Sequence, residues 1–293
     1  MNSWNPFAII QARLGSKRLP GKVLEQVRPG VPSIAMQVWR MAHSKELKGA
    51  CLAVPNRDTR LIRFCSRNEI RVFYDNAVND DDVLTRYYLA AKYYDADPVV
   101  RVTGDCPLID YGIIDGVIKL YRESKADYAS NNLEASFPHG TDVEVFSFKA
   151  LEEAHHEATH PYDREHVTEW IRRHQDRPYV LTNLRAPLDT MEPTQAAVLC
   201  AARLTLDYPE DLKLIREIFK AFPEPNYYVT IADVVRMLSA RPELMRINEH
   251  RALEHAQNLD GRFEPMSVEM VEADKQQREA AARAEIDRMR GKH

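Results

Sequence analysis

Through the first third of this chain, short apolar runs alternate with stretches of helical period, and that alternation limits the fold more than any other feature. Residues 7–10, 51–54, 70–74 and 98–102 read as buried strands. Between them Ile34, Val38 and Met41, then Leu61, Ile62 and Cys65, then Val83, Leu84, Tyr87, Tyr88 and Ala91 recur at the spacing of helices with one apolar face. Pro32-Ser33 opens the first of these helices, with Ser33 as its expected cap. Strands joined through helices run parallel, and a parallel sheet needs cover on both faces. The expected class is therefore α/β, a Rossmann-like, mostly parallel sheet covered by helices on both faces. With 44% hydrophobic residues in 293, the chain can bury a large core. The expected division is one domain over residues 1–250 and a helical C-terminal extension over 251–293.

Ligands of such sheets bind beyond the carboxyl ends of the strands. There the first strand runs into Gln11-Ala12-Arg13-Leu14-Gly15-Ser16-Lys17-Arg18-Leu19-Pro20-Gly21-Lys22, a loop with four cations and no acid. Gly15 and Gly21 bracket a turn in which backbone N–H groups can approach phosphate oxygens, and Arg13, Lys17, Arg18 and Lys22 add charge. An anion is the expected occupant. The loop is not a P-loop: that motif has four residues between its glycines and Ser or Thr after its Lys, whereas five intervene here and Val23 follows Lys22.

The basic charge is local. Forty basic against 44 acidic residues give a net charge of −4, which excludes a global field for nucleic acid. Cys51, Cys65, Cys106 and Cys200 have neither CxxC nor metal spacing, so buried free thiols and a reducing, cytoplasmic setting are expected. Neither a secretory leader nor an apolar run of about 18 residues is present, so no membrane partner is expected.

Three later segments carry candidate chemistry. The fourth strand ends in Thr103-Gly104-Asp105-Cys106-Pro107-Leu108-Ile109-Asp110, where Asp105 could hold a hard cation that also binds phosphate, or bond to its own backbone in a turn. Asp110 is the expected cap of the next helix. In Gly140-Thr141-Asp142-Val143-Glu144-Val145-Phe146 the alternation puts Asp142 and Glu144 on one face of a strand, open to solvent or to a ligand. Asp163 is expected to cap a helix running to about Arg173, and Arg164-Glu165-His166 lacks zinc spacing.

The run from Gln11 to Lys22 resembles the nucleotide-binding signature of the sugar-acid cytidylyltransferases, which include the 3-deoxy-manno-octulosonate and acylneuraminate enzymes. It is most similar to the branch containing spore-coat polysaccharide biosynthesis protein F. Gly104-Asp105-x-Pro107-Leu108-x-Asp110 is similar to that family's second signature, and Leu206-Asp207-Tyr208-Pro209-Glu210-Asp211-Leu212 is similar to a Val-Asp-Thr-Pro-Glu-Asp-Leu run of the octulosonate enzymes. Tyr208 replaces the usual Thr. The resemblance covers roughly residues 7–250.

This resemblance implies a GT-A-like nucleotidyltransferase fold and CTP as co-substrate. It implies that Gln11, Ala12, Gly15 and Ser16 line the triphosphate, and that Arg13, Arg18 and Lys22 stabilise the departing pyrophosphate. Asp105 and Asp207 would hold Mg²⁺. Asp81 or Asp82 would reach the cytosine or ribose, unless the Asn79-to-Leu84 segment is simply a capped helix start. His139, Asp142 and Glu144 would face the acceptor, Arg164 would meet its carboxylate, and His166 would orient it.

The expected reaction is transfer of CMP from CTP to a small acidic acceptor, a sugar acid of the nonulosonate or octulosonate type, for surface polysaccharide or glycoconjugate synthesis. An acceptor bearing phosphate or phosphonate is the alternative. A nucleotide-sugar glycosyltransferase would normally show Asp-x-Asp where this chain has Gly-Asp-Cys-Pro, and a non-catalytic nucleotide-binding protein would not need both candidate metal acids. Residues 267–290, rich in Ala, Glu and Arg with Asp274/Arg278 and Glu279/Arg283 spaced by four, read as a solvated helix that could pack on a partner subunit in a homodimer.

Overall fold

The computed structural model describes residues 4–75, 78–79, 81–173, 179–222 and 228–260, which form two compact units, 1–249 and 250–293. In the first unit β1 (Phe7–Gln11) leads through the basic loop and a 3₁₀ turn (Lys22–Leu24) to a small antiparallel pair, β2 (Gln26–Arg28) and β3 (Val31–Pro32). Then follow α1 (Ser33–Met41), β4 (Gly49–Ala53), α2 (Thr59–Arg67), β5 (Val72–Phe73), α3 (Val83–Tyr93), β6 (Val99–Thr103) and α4 (Tyr111–Ser124). The chain continues with β7 (Tyr128–Ser130), β8 (Glu144–Phe146), α5 (Phe148–Glu157), α6 (Pro161–His166), α7 (Glu169–Arg173) and β9 (Leu181–Asn183). It ends with α8 (Pro193–Ala201), α9 (Pro209–Ala221), α10 (Ile231–Ala240) and a 3₁₀ segment (Pro242–Ile247) before α11 (Glu249–Asp260).

The main sheet has seven strands in the order β5-β4-β1-β6-β8-β7-β9, and β8 alone runs antiparallel to its neighbours. The expected mostly parallel sheet is what forms. β1 sits inside it, pairing Phe7–Gln11 with Gly49–Ala53 on one side and with Val99–Thr103 on the other. Strand pleating divides its residues between two cores: Ala8 and Ile10 pack with Val100, Val102 and Val145, while Phe7 and Ile9 pack with Val99, Tyr128 and Phe146. Central β1 and β6 thus deliver the basic loop and Asp105 side by side at their carboxyl ends.

Caps follow local chemistry, with two corrections. Asp110 accepts from Gly112 N and Ile113 N at the start of α4, as expected, and also from Ile231 N at the start of α10. Ser33 does not cap α1: the cap position is Pro32, and Ser33 is buried inside the first turn. The helix expected from Asp163 to Arg173 is broken. His160 caps α6, whose final turn stops at Val167 with φ 64° and ψ −62°, and α7 starts afresh at Glu169. Cys51, Cys65 and Cys106 are buried free thiols and Cys200 is exposed. Among the described residues no helix is long and apolar enough to cross a membrane. The helix expected over 267–290 lies outside the described residues.

Candidate active site

The backbone places the basic loop against two neighbours. Gly104 N donates to Gln11 O at 2.8 Å, and a Cβ at Gly104 would stand 2.9 Å from that of Ala12, so only glycine lets β6 turn this close to the loop. On the other side the buried Asp58 accepts from Leu14 N at 2.7 Å, and Ala12 N donates to Ala53 O. Ser16 Oγ accepts from Leu19 N at 3.3 Å, which folds the turn, and exposed Gly15 faces the Arg57 side chain. The loop is held at both shoulders, and its cationic tip is open.

The segment Arg203–Asp207 lies alongside the end of β6. Leu206 N donates to Asp105 O at 2.8 Å and Leu204 N to His139 O at 2.7 Å. Gly140, at φ +103°, lets the chain at His139 pass over the Thr205 backbone, with which a Cβ would collide.

Asp105 and Asp207, separated by about a hundred residues, thereby converge on one nitrogen: Lys22 Nζ donates at 2.8 Å to Asp105 Oδ2 and at 2.8 Å to Asp207 Oδ1. Arg18 reaches the same Asp207 Oδ1 at 2.9 Å, and its guanidinium lies 4.9 Å from the Tyr208 ring centre. Tyr208 supplies Arg18 with a stacking surface.

The electrostatics follow from this contact. Burial pushes the Asp105 carboxyl up, but the Lys22 ammonium and hydrogen bonds from Lys22 and Thr103 outweigh it and hold Asp105 well below the usual carboxylate range. Burial and the charge of Asp105 push Asp207 up, and Lys22 and Arg18 bring it below its ordinary value. Burial works to lower Lys22, but the two acids raise it. All three groups are charged at neutral pH.

Two carboxylates aimed at one cationic point beside a phosphate-type loop suit Mg²⁺. That ion binds one or two protein carboxylates and takes its remaining oxygens from water and substrate phosphate. Among the described residues no three His, Cys, Asp or Glu side chains cluster as an all-protein metal cage would require. The donor set fits an ion shared with a phosphate ligand.

The remaining expected residues separate into three groups. Arg13 stands near Asp81 at 3.7 Å and Glu165 at 3.9 Å, away from the acids that Lys22 contacts. Asp82 caps α3 through Thr85 N and is gripped by Arg164, with Nε to Oδ1 at 3.1 Å and Nη2 to Oδ2 at 2.7 Å. The residue expected at the nucleoside and the one expected at the acceptor carboxylate are thus each other's partners. Arg164 also donates to the carbonyls of His155 and Ala158, and His166 packs its ring 4.2 Å from that of Tyr162.

Asp142 is drawn back to accept from Gly140 N at 3.0 Å, and it precedes the strand that Glu144 begins. Glu144 departs most from expectation. It is 2% exposed, ion-paired to Arg101 from the adjacent strand, and accepts from Tyr128 and Thr168 hydroxyls at 2.6 Å each. It lies on the core face with Phe146, where its charge is already matched. A role for Glu144 in contacting the acceptor is therefore corrected to that of a buried ion pair.

The sequence reading missed Arg203. It is 4% exposed and links Asp207, Asp211 and His139. A charged residue inside the apolar run Ala202-Arg203-Leu204-Thr205-Leu206, four before one acid and eight before another, was the available signal.

A sequence model of the cytidylyltransferase family matches residues 7–247. An uncharacterised protein of Methanocaldococcus jannaschii is 33% identical over 83% of this chain and 94% of its own length. Spore coat polysaccharide biosynthesis protein SpsF of Bacillus subtilis is 28% identical over 80% of this chain and 94% of its own. A 3-deoxy-manno-octulosonate cytidylyltransferase of Methylibium petroleiphilum is 36% identical over 39% of this chain and 43% of its own. Among solved structures, a cytidylyltransferase from Leptospira borgpetersenii superposes with a TM-score of 0.72 at 26% identity, covering 82% of this chain and 97% of that one.

Proposed function

Because the chain belongs to the cytidylyltransferase family and is thereby a CTP-dependent nucleotidyltransferase, we propose that it transfers CMP to a sugar acid, with release of pyrophosphate. The observation that carries this reading is the meeting of Asp105 and Asp207 on Lys22 Nζ where the basic loop ends. Family membership sets aside the glycosyltransferase and non-catalytic readings.

In this reading an acceptor hydroxyl oxygen attacks the α-phosphorus of CTP in line and gives up its proton to water, the bond to the bridging oxygen breaks, and pyrophosphate carries away the electron pair. Arg13, Arg18 and Lys22 neutralise the charge that grows on the leaving group, the electrostatic contribution that usually dominates such transfers. Gln11, Ala12, Gly15 and Ser16 shape the backbone around the triphosphate. Asp105 and Asp207 would hold Mg²⁺, which when bound polarises phosphate oxygens and makes a nearby hydroxyl more acidic. Lys22 then has a new partner in the phosphates, since its present acids would be shared with the ion.

Support for a sugar-acid acceptor comes from the octulosonate relative, and support for a polysaccharide role from the similarity to SpsF. Arg164 is the candidate for the acceptor carboxylate, which would compete with Asp82 for its guanidinium. The test is pyrophosphate release from CTP and Mg²⁺ with octulosonates, nonulosonates, neutral hexoses and phosphate- or phosphonate-bearing acceptors. Release with an octulosonate or nonulosonate alone is expected; release only with phosphorylated or phosphonate acceptors would move the acceptor to that class.

A further inference from the structure

Asp207 uses its two oxygens differently. Lys22 and Arg18 both address Oδ1, at 2.8 and 2.9 Å, while Oδ2 accepts from Arg203 Nη2 at 2.9 Å. Arg203 is itself immobilised: Asp211 receives Nε on Oδ1 at 3.1 Å and Nη2 on Oδ2 at 3.2 Å, and Nη1 lies 3.1 Å from His139 Nδ1. Asp211 is fully buried and is held by the backbone N–H groups of Asp207 and Tyr208, at 3.0 Å each. Asn248, 2% exposed, closes the clamp by donating to Asp211 Oδ1 at 2.8 Å and to Arg203 O at 3.0 Å. Arg203 is too deep to touch a ligand on the far side of Asp207.

We infer that Arg203, fixed by Asp211 and Asn248, is a positioning residue that occupies Oδ2 of Asp207 so that this carboxylate can offer a divalent cation Oδ1 only. This rests on the reading that Asp105 and Asp207 hold such a cation. The consequence concerns selectivity. Ca²⁺ accepts bidentate carboxylates and up to about eight oxygens, whereas Mg²⁺ demands a compact octahedron in which a carboxylate usually contributes one oxygen. A guanidinium on the second oxygen blocks the bidentate mode. It therefore holds the site to the smaller ion, in the way partners of metal ligands generally tune the metals they never touch.

The test uses the full chain with CTP and no acceptor, loaded with Mn²⁺, whose displacement by Mg²⁺ and by Ca²⁺ is followed by electron paramagnetic resonance. Arg203→Lys keeps the charge and loses the fork. It should weaken Mg²⁺ about ten- to hundredfold and Ca²⁺ much less, narrowing the preference for Mg²⁺, while metal-free CTP binding by calorimetry stays within about twofold of the wild type. Asn248→Ala, which loosens the clamp that fixes Arg203 on Asp207, should shift the ratio the same way by less. If Arg203→Lys fails to fold, Asn248→Ala decides. A folded variant with the wild-type Mg²⁺ to Ca²⁺ ratio would overturn the inference and leave Arg203 a purely structural ion pair. A wild-type protein that binds CTP but holds no Mn²⁺ would overturn the metal reading itself, an outcome visible before any variant is made.

Discussion

Lys22 ties the site together, because its ammonium lies between the two acids that would otherwise repel. Lys22→Met should reduce the rate of pyrophosphate release by about a hundred- to a thousandfold, the usual loss for one preorganised electrostatic contact. Its effect on stability depends on pH with a definite sign. Asp105 and Asp207 are depressed below their ordinary value of 3.8, so the stability they contribute is present above that pH and is lost as pH falls through their lower folded values. Lys22 is raised above 10.5, so its contribution is present below that pH and is lost only as pH rises through the raised value. Without Lys22, burial and mutual repulsion leave Asp105 and Asp207 to protonate at a higher pH than in the wild type. In metal-free buffer, the urea midpoint of Lys22→Met should therefore lie below that of the wild type at alkaline pH, and the gap should narrow as pH falls; a gap that stays constant from about pH 9 to 4 would contradict the coupling of the three groups.

At the scale of elements, short range carried most of the information that could be read from sequence. Apolar runs located β1, β4, β5 and β6, and the Asp110 cap of α4 needed only its neighbours. Pairing across the fold was not legible in the same way. Alternation separated Glu144 from Val143 and Val145 but left its face open to solvent or a ligand, and nothing local says that Arg101, 43 residues earlier, waits on that face. Glu144→Gln leaves the Arg101 guanidinium without its buried counter-charge and should cost about 3–5 kcal/mol by chemical denaturation, while KM for the acceptor stays unchanged in the folded fraction. A raised KM at unchanged stability would restore the ligand-facing reading. The break at Val167 was equally hidden, because its backbone conformation is one a β-branched residue rarely adopts. Gly140→Ala adds a Cβ against the Thr205 backbone at a left-handed φ and should lower stability by about 1–3 kcal/mol, measured as a fall in Tm.

For the whole molecule, the sheet order brings three distant segments, the loop after β1, the end of β6 and the strand-like stretch before α9, to one edge. Motif resemblance identified all three because the chemistry at their tips is written in consecutive residues. It did not assign the pairing of Arg203, Asp211 and Asn248, whose work is done on each other and behind the site. Arg203→Met would leave Asp207 and Asp211 buried without their shared cation and should destabilise the fold by about 3–5 kcal/mol, which urea titration would register. The most direct test of the site is calorimetric titration of CTP, UTP, ATP and GTP into wild type, Asp105→Asn and Asp207→Asn, each with and without Mg²⁺. CTP should bind alone among the four, tightly only with Mg²⁺, and both variants should lose the metal-dependent gain while keeping the wild-type far-ultraviolet circular dichroism. CTP binding that is indifferent to Mg²⁺, or unchanged in both variants, would contradict the assignment of Asp105 and Asp207 as the cation's ligands.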